Sequence, residues 1–159
     1  MRKALIIVAG VIVLAVVNWN IAARERIVTD GKVVLLDLAP VDPRSIMQGD
    51  YMALRFAIAN DVLRALPDRA DGRVVVQVGS DGVGAFRRID DGTPLAADEL
   101  ALRYRVRERQ AKVATNAFFF EEGRGSDYSG ARYGEVRVGP DGDAILTGLR
   151  DAKREPMGR

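Results

Sequence analysis

Cysteine and histidine are both missing from this chain of 159 residues. Without them no zinc site of the thiolate or imidazole type can form, and neither Ser-His nor Cys-His catalysis is possible. Disulfides are excluded too, so the redox state of the compartment leaves no mark. No cysteine exists to carry the lipid of a lipoprotein. Lysine is scarce, confined to Lys3, Lys32, Lys112 and Lys153. Acidic residues are absent from the first 23 positions. With Arg2 and Lys3 set aside, residues 24–159 carry 22 basic and 22 acidic side chains. That balance argues against a general nucleic-acid-binding surface.

What is present begins with a long apolar run. Ala4 to Val17 holds no polar side chain, and Asn18-Trp19-Asn20 and Ile21 to Ala23 follow it. As a helix, Ala4 to Ala23 would span about 30 Å, the thickness of a hydrocarbon core. Trp19 suits the membrane interface. An uncleaved anchor is the favoured reading. A cleaved signal peptide needs small residues before the cut, and Asn20-Ile21-Ala22-Ala23 serves poorly. A buried core helix would need a polar face, which the segment lacks. Arg2 and Lys3 precede the span while Arg24, Arg26 and Lys32 follow it, so flanking charge alone does not fix orientation. The short N-terminal flank favours that end inside and the domain outside. The expected organisation is an anchor over residues 1–23, a linker over 24–31, a β-rich domain over 32–151 and a frayed tail over 152–159.

The soluble part is patterned as strands. Val33 to Leu38 is apolar and Tyr51 to Ile58 alternates, with Met52, Leu54, Phe56 and Ile58 on one face. Val74 to Val78 turns at Ser80-Asp81-Gly82 into Val83 to Ile89. Leu102, Tyr104 and Val106 alternate with Arg103, Arg105 and Arg107. Glu108-Arg109-Gln110 turns that strand back into Lys112 to Phe120. Glu135 to Val138 and Ala144 to Leu149 flank the hairpin signal Gly139-Pro140-Asp141-Gly142-Asp143. Helix is scarce: Asn60 is placed to cap a short one carrying Val62, Leu63 and Leu66. Ala96 to Leu100 and Ser126 to Ala131 can hold a turn each. The expected fold class is mainly β. An N-terminal transmembrane helix leads into a small antiparallel β-sandwich or partly open barrel with one or two short helices.

Two stretches stand out. In Gly49-Asp50-Tyr51, Gly49 permits a positive φ and Asp50 can hold the turn through its carboxylate. A period of two places Tyr51 opposite Leu54 and Phe56, so Tyr51 looks outward if those two face the core. In Phe118-Phe119-Phe120 the rings must alternate, Phe118 and Phe120 on one face and Phe119 on the other. The plain reading is a strand covered on both faces; the sharper one gives Phe119 to a contact patch. Glu121 and Glu122 can cap the next turn or pair with Arg124 and Arg132. As a catalytic pair they are poorly placed, because neighbours on a strand point apart.

The stretch "PVDPRSIMQGDYMALRF" resembles the signature of the bacterial family named for the motif GDY-x-x-L-x-Y. Gly49, Asp50, Tyr51 and Leu54 match; Phe56 stands where the motif has Tyr, keeping the ring without the hydroxyl. Asp42 and Pro43 are similar to the family's lead-in, and Asn116 to Gly125, with Glu122 and Gly123, is similar to its second block. The resemblance implies a membrane-anchored, extracytoplasmic bacterial protein, single-pass in the inner membrane, with a multi-pass membrane protein as partner and no known biochemical activity. The binding candidates are Asp50, Tyr51, Phe119, Glu121 and Arg124. No catalytic residue, metal or cofactor is assigned. The alternative is a non-His hydrolase drawing on Asp50, Glu121 and Ser45. A signal-peptidase-like Ser-Lys dyad fails on position, since Val41 stands where its Ser would. Asp81-Gly82 and Asp141-Gly142 read as hairpin turns rather than as calcium loops.

Overall fold

The computed structural model describes residues 2–39, 47–48, 51–65 and 71–158. The first element, α1, runs Arg2–Asp30. Over Ile6–Asp30 it is long and apolar enough to cross a membrane, and none of that span is buried in the protein. Its two asparagines do not project bare amides. The Asn18 side chain donates to the Leu14 carbonyl at 2.9 Å and that of Asn20 to Val16 at 2.8 Å. Bonding back one turn lowers the cost of placing an amide among hydrocarbon. Residues 24–30, expected as a linker, are the last turns of this same helix. At its end Arg137 donates to the Thr29 carbonyl at 3.1 Å, a cation meeting the negative pole of the helix.

The domain then builds three antiparallel sheets. The first has the order β1-β9-β10, with β1 Lys32–Asp37, β9 Tyr133–Val138 and β10 Ala144–Arg150. The second has the order β5-β4-β6-β7, with β4 Gly72–Val78, β5 Gly84–Ile89, β6 Glu99–Arg107 and β7 Gln110–Val113. A bridge between Leu35 and Val83 joins β1 to the start of β5, so these two sheets run into one another. Helix α2, Ile58–Ala65, packs on β7 and β5 and lies across the remaining gap. The result is a partly open barrel. The third sheet is a small ribbon, β2-β3-β8, made of Met47–Gln48, Tyr51–Ala53 and Ala117–Phe119.

Two hairpins share one turn design. In Gly79 to Val83 and in Gly139 to Asp143, a backbone turn closes through Gly82 and Gly142, which hold φ of +79° and +86°. The Asp81 and Asp141 carboxylates each accept from the backbone two residues on, as the Asp-Gly signal requires. The β6–β7 hairpin differs. Its central residues, Glu108 and Arg109, hold φ of +52° and +63°. Such a turn favours Asn-Gly, and side chains with a Cβ cost about 1 kcal/mol or more each there.

Several expectations change in detail. The strand expected over Tyr51 to Ile58 stops at Ala53. The Leu54 N–H still donates to the Asn116 carbonyl at 2.8 Å, and the chain then pairs with the end of β1, through Leu38 and Phe56. The helix starts at Ile58, so Asn60 lies within its first turn rather than capping it. Met52, Leu54, Phe56 and Ile58 are nonetheless all buried. The strand expected over Lys112 to Phe120 divides into β7 and β8. Ala114 at φ +55° breaks it, and Thr115 bonds to the Ala117 backbone across the break. The tail expected to fray is pinned: Pro156 bridges Arg150, and the Met157 N–H donates to Leu149 at 3.0 Å.

The core forms two clusters. The larger joins Val34, Leu36, Phe56, Val62, Val74, Val76, Leu102, Tyr104, Val113 and Val136 inside the barrel. The smaller joins Met52, Leu54, Tyr128 and Leu149, with Phe118, Phe120 and Met157 packed against them. Leu38 and Leu146 touch both.

Candidate functional site

The β3–β8 ribbon carries large apolar or aromatic side chains on both faces, with opposite fates. In register, Met52 faces Phe118 and Tyr51 faces Phe119. On the inner face Met52 is buried, and Phe118 and Phe120 close on the Tyr128 ring. Phe118 meets it edge-on at 5.0 Å between centroids, and Phe120 stacks on it at 5.5 Å. Tyr128 is carried in by a 3₁₀ turn, Gly125–Tyr128. On the outer face Tyr51 and Phe119 meet at 5.8 Å with their planes tilted by 41°. They are 37% and 75% exposed. The strand is therefore covered on one face only, which corrects the expectation of cover on both. Alternation creates this arrangement: three consecutive aromatics cannot all turn inward, so a ring is left on the surface.

The motif residues separate in the same way. Leu54 belongs to the smaller core cluster and Phe56, 2% exposed, to the larger. Phe56 lies against Gly134 of β9, where even a Cβ would stand 2.7 Å from the ring. Leu54 and Phe56 thus hold the ribbon to the barrel, while Tyr51 points away from it. Gly49, Asp50, Asp42 and Pro43 lie outside the described residues, as does Ser45.

Beyond β8 the chain turns at Glu121 to Arg124, with Gly123 at φ +80°, a conformation that suits glycine. Glu121 has 83% of its side chain exposed and lies 3.8 Å from Arg124. Arg124 is held more firmly by Asp127, at 2.9 Å. The hydrogen bond to that carboxylate, and then its charge, raise the Arg124 pKa further. Glu122 is exposed, and Arg132 pairs with Asp37 rather than with either glutamate. Tyr51, Phe119, Glu121 and Arg124 thus lie on or just beyond the ribbon. Tyr51 and Phe119 share one face, whereas Glu121 and Arg124 belong to the turn. Tyr128, the platform beneath the ribbon, was not foreseen, because an isolated Tyr in a Ser-Gly-rich turn shows no period.

A family model described as GDYXXLXY protein matches residues 13–149. No curated protein and no solved structure matches the chain.

Proposed function

The chain belongs to the GDYXXLXY protein family, and from that premise we propose that it is an accessory module that docks on a multi-pass membrane protein. In this reading α1 is a single-pass anchor in a bacterial inner membrane and the β domain stands on the extracytoplasmic, periplasmic side. The observation that carries the reading is the outer face of the ribbon, where Tyr51 and Phe119 lie against each other and open to solvent. Exposed paired aromatics are unusual on a free surface and are enriched where proteins meet. Aromatic rings also give large contact area for little side-chain entropy.

The test is photocrosslinking in native membranes with a photoreactive residue at Tyr51. The expected result is one dominant multi-pass adduct that is lost when Phe119→Ala is added. Phe119→Ala itself is expected to change folding stability by no more than about 1 kcal/mol, the scale of one cross-strand aromatic pair. A folded, anchored variant that gives no protein adduct would overturn the docking reading.

A further inference from the structure

A cleft of about 230 Å³ lies between α2 and β7, beside the ribbon but apart from its aromatic face. Its floor is apolar and belongs to the core: Leu54, Phe56, Ala59 and Val113. Three cations line it, Arg55, Arg109 and Lys112, and no Asp or Glu does. Elsewhere in the described domain most cations are ion-paired, although Lys32, Arg87, Arg105, Arg137 and Lys153 are not. Nine arginines there, at 64, 73, 88, 103, 107, 124, 132, 150 and 154, each meet a carboxylate within 4.0 Å. Arg55, Arg109 and Lys112 make no ion pair with any described residue. Lys112 sits directly across the ladder from Arg105, on the exposed face of β7, a like-charge pairing that costs stability.

The backbone adds a second observation. Of the four non-glycine residues with positive φ among the described residues, Glu108, Arg109 and Ala114 bracket β7, the strand that forms one wall of the cleft. Strained conformations persist where the surroundings over-determine them, and they cluster at binding sites. Arg109 holds a cation at a position that a glycine would fill without strain.

We propose that this cleft binds a phosphate ester. Three cations exceed the charge of one carboxylate, whereas a phosphate monoester carries about −1.5 to −2 and several strong acceptors. The guanidinium fork matches phosphate geometry, and Asn60 and Asn116 are among the residues that line the same cleft. The apolar floor takes the carbon side of the ester. Pockets for drug-sized ligands begin at roughly 300 Å³, so the occupant is a small ester or the head group of a lipid rather than a whole lipid or a peptide. This inference does not depend on the docking reading.

The test uses the full chain in phosphatidylcholine nanodiscs, with the backbone amides of Ala111 to Asn116 followed by NMR. One arm adds glycerol 3-phosphate; the other replaces part of the lipid with phosphatidic acid, whose head group is a phosphate monoester. Saturable shifts in the first arm identify a soluble ester, and shifts confined to the second identify a lipid head group. Lys112→Gln and Arg109→Gly are each expected to weaken binding about tenfold, the scale of one charged hydrogen bond. Arg87→Gln, an exposed arginine outside the cleft, should change it less than about twofold. Arg109→Gly should also raise Tm by roughly 2–5 °C through relief of the positive φ, so its weaker binding cannot be a folding defect. No saturation in either arm overturns the proposal. So does an Arg87→Gln effect as large as that of Lys112→Gln, which would mark diffuse surface charge.

Discussion

The larger cluster takes its buried side chains from five strands, α2 and Phe56 just before it, so each residue is held by elements distant in sequence. The smaller takes only Met52, Leu54, Tyr128 and Leu149, from a short ribbon, a 3₁₀ turn and the rim of β10. The first is a scaffold in which every part needs the others. The second is a local plate set on that scaffold, with Leu38 and Leu146 as the shared contacts. The exposed Tyr51–Phe119 pair sits on the plate, while the basic cleft draws its floor from both. A surface mounted on a small cluster can adjust its rings without disturbing the barrel.

Three experiments would break or sharpen this contrast. The largest effect is expected from Leu102→Ala, a fully buried side chain at the centre of the barrel. It should cost about 3–5 kcal/mol and lower the whole transition in chemical denaturation. A loss confined to part of the signal would show that the barrel is not one cooperative unit. Next, Met52→Ala should cost about 2–3 kcal/mol. Its mark should be local: in native-state hydrogen exchange, β3 and β8 amides should open at lower free energy than those of β4 and β6. Equal opening of both regions would merge the two clusters into one.

The smallest effect concerns a clasp within the barrel. Asp71 accepts from the Val106 N–H at 2.8 Å and takes both guanidinium nitrogens of Arg107, at 3.0 and 3.1 Å. The backbone hydrogen bond first, and then Arg107, lower its pKa. A lowered carboxylate pKa means that the unfolded chain binds the proton more readily. The clasp therefore contributes fully above the unfolded value of about 3.9 and is lost as pH falls through the folded value. Asp71→Asn should flatten the acid limb of stability against pH and leave the neutral region slightly lowered. An unchanged acid limb would assign that limb to other carboxylates.

The sequence made the anchor, the hairpins and the mainly β architecture legible, each for a local reason. Asp-Gly pairs declare their turns, and the alternation along β6 declares its buried and charged faces. The outward Tyr51 and the alternating rings of Phe118 to Phe120 were legible from a period of two. What escaped was set by contacts between distant segments. Residues after Leu54 change partner from the β8 segment to the end of β1, which no periodicity announces because both partners want the same buried face. Ala114 breaks a strand without any breaker residue. Arg55 stands 54 positions before Arg109, the nearer of the other two cations of the cleft, and joins them because the segment leading into α2 folds back beside β7.

The junction of α1 with the domain has a consequence for reach. Its 29 residues, Arg2–Asp30, extend about 43 Å, which exceeds a hydrocarbon core by about 13 Å and matches a bilayer with its head groups. Only Gly31 separates α1 from β1, and Arg137 clasps the end of the helix. Where α1 crosses a bilayer, the domain has no leash: its height above the lipid is fixed by the fold, not by the sweep of a flexible linker. With a membrane partner of the kind proposed, encounters would be lateral, between surfaces travelling in the same plane at the same level. Such a search would be two-dimensional, with effective concentration replacing tight intrinsic affinity as the source of occupancy.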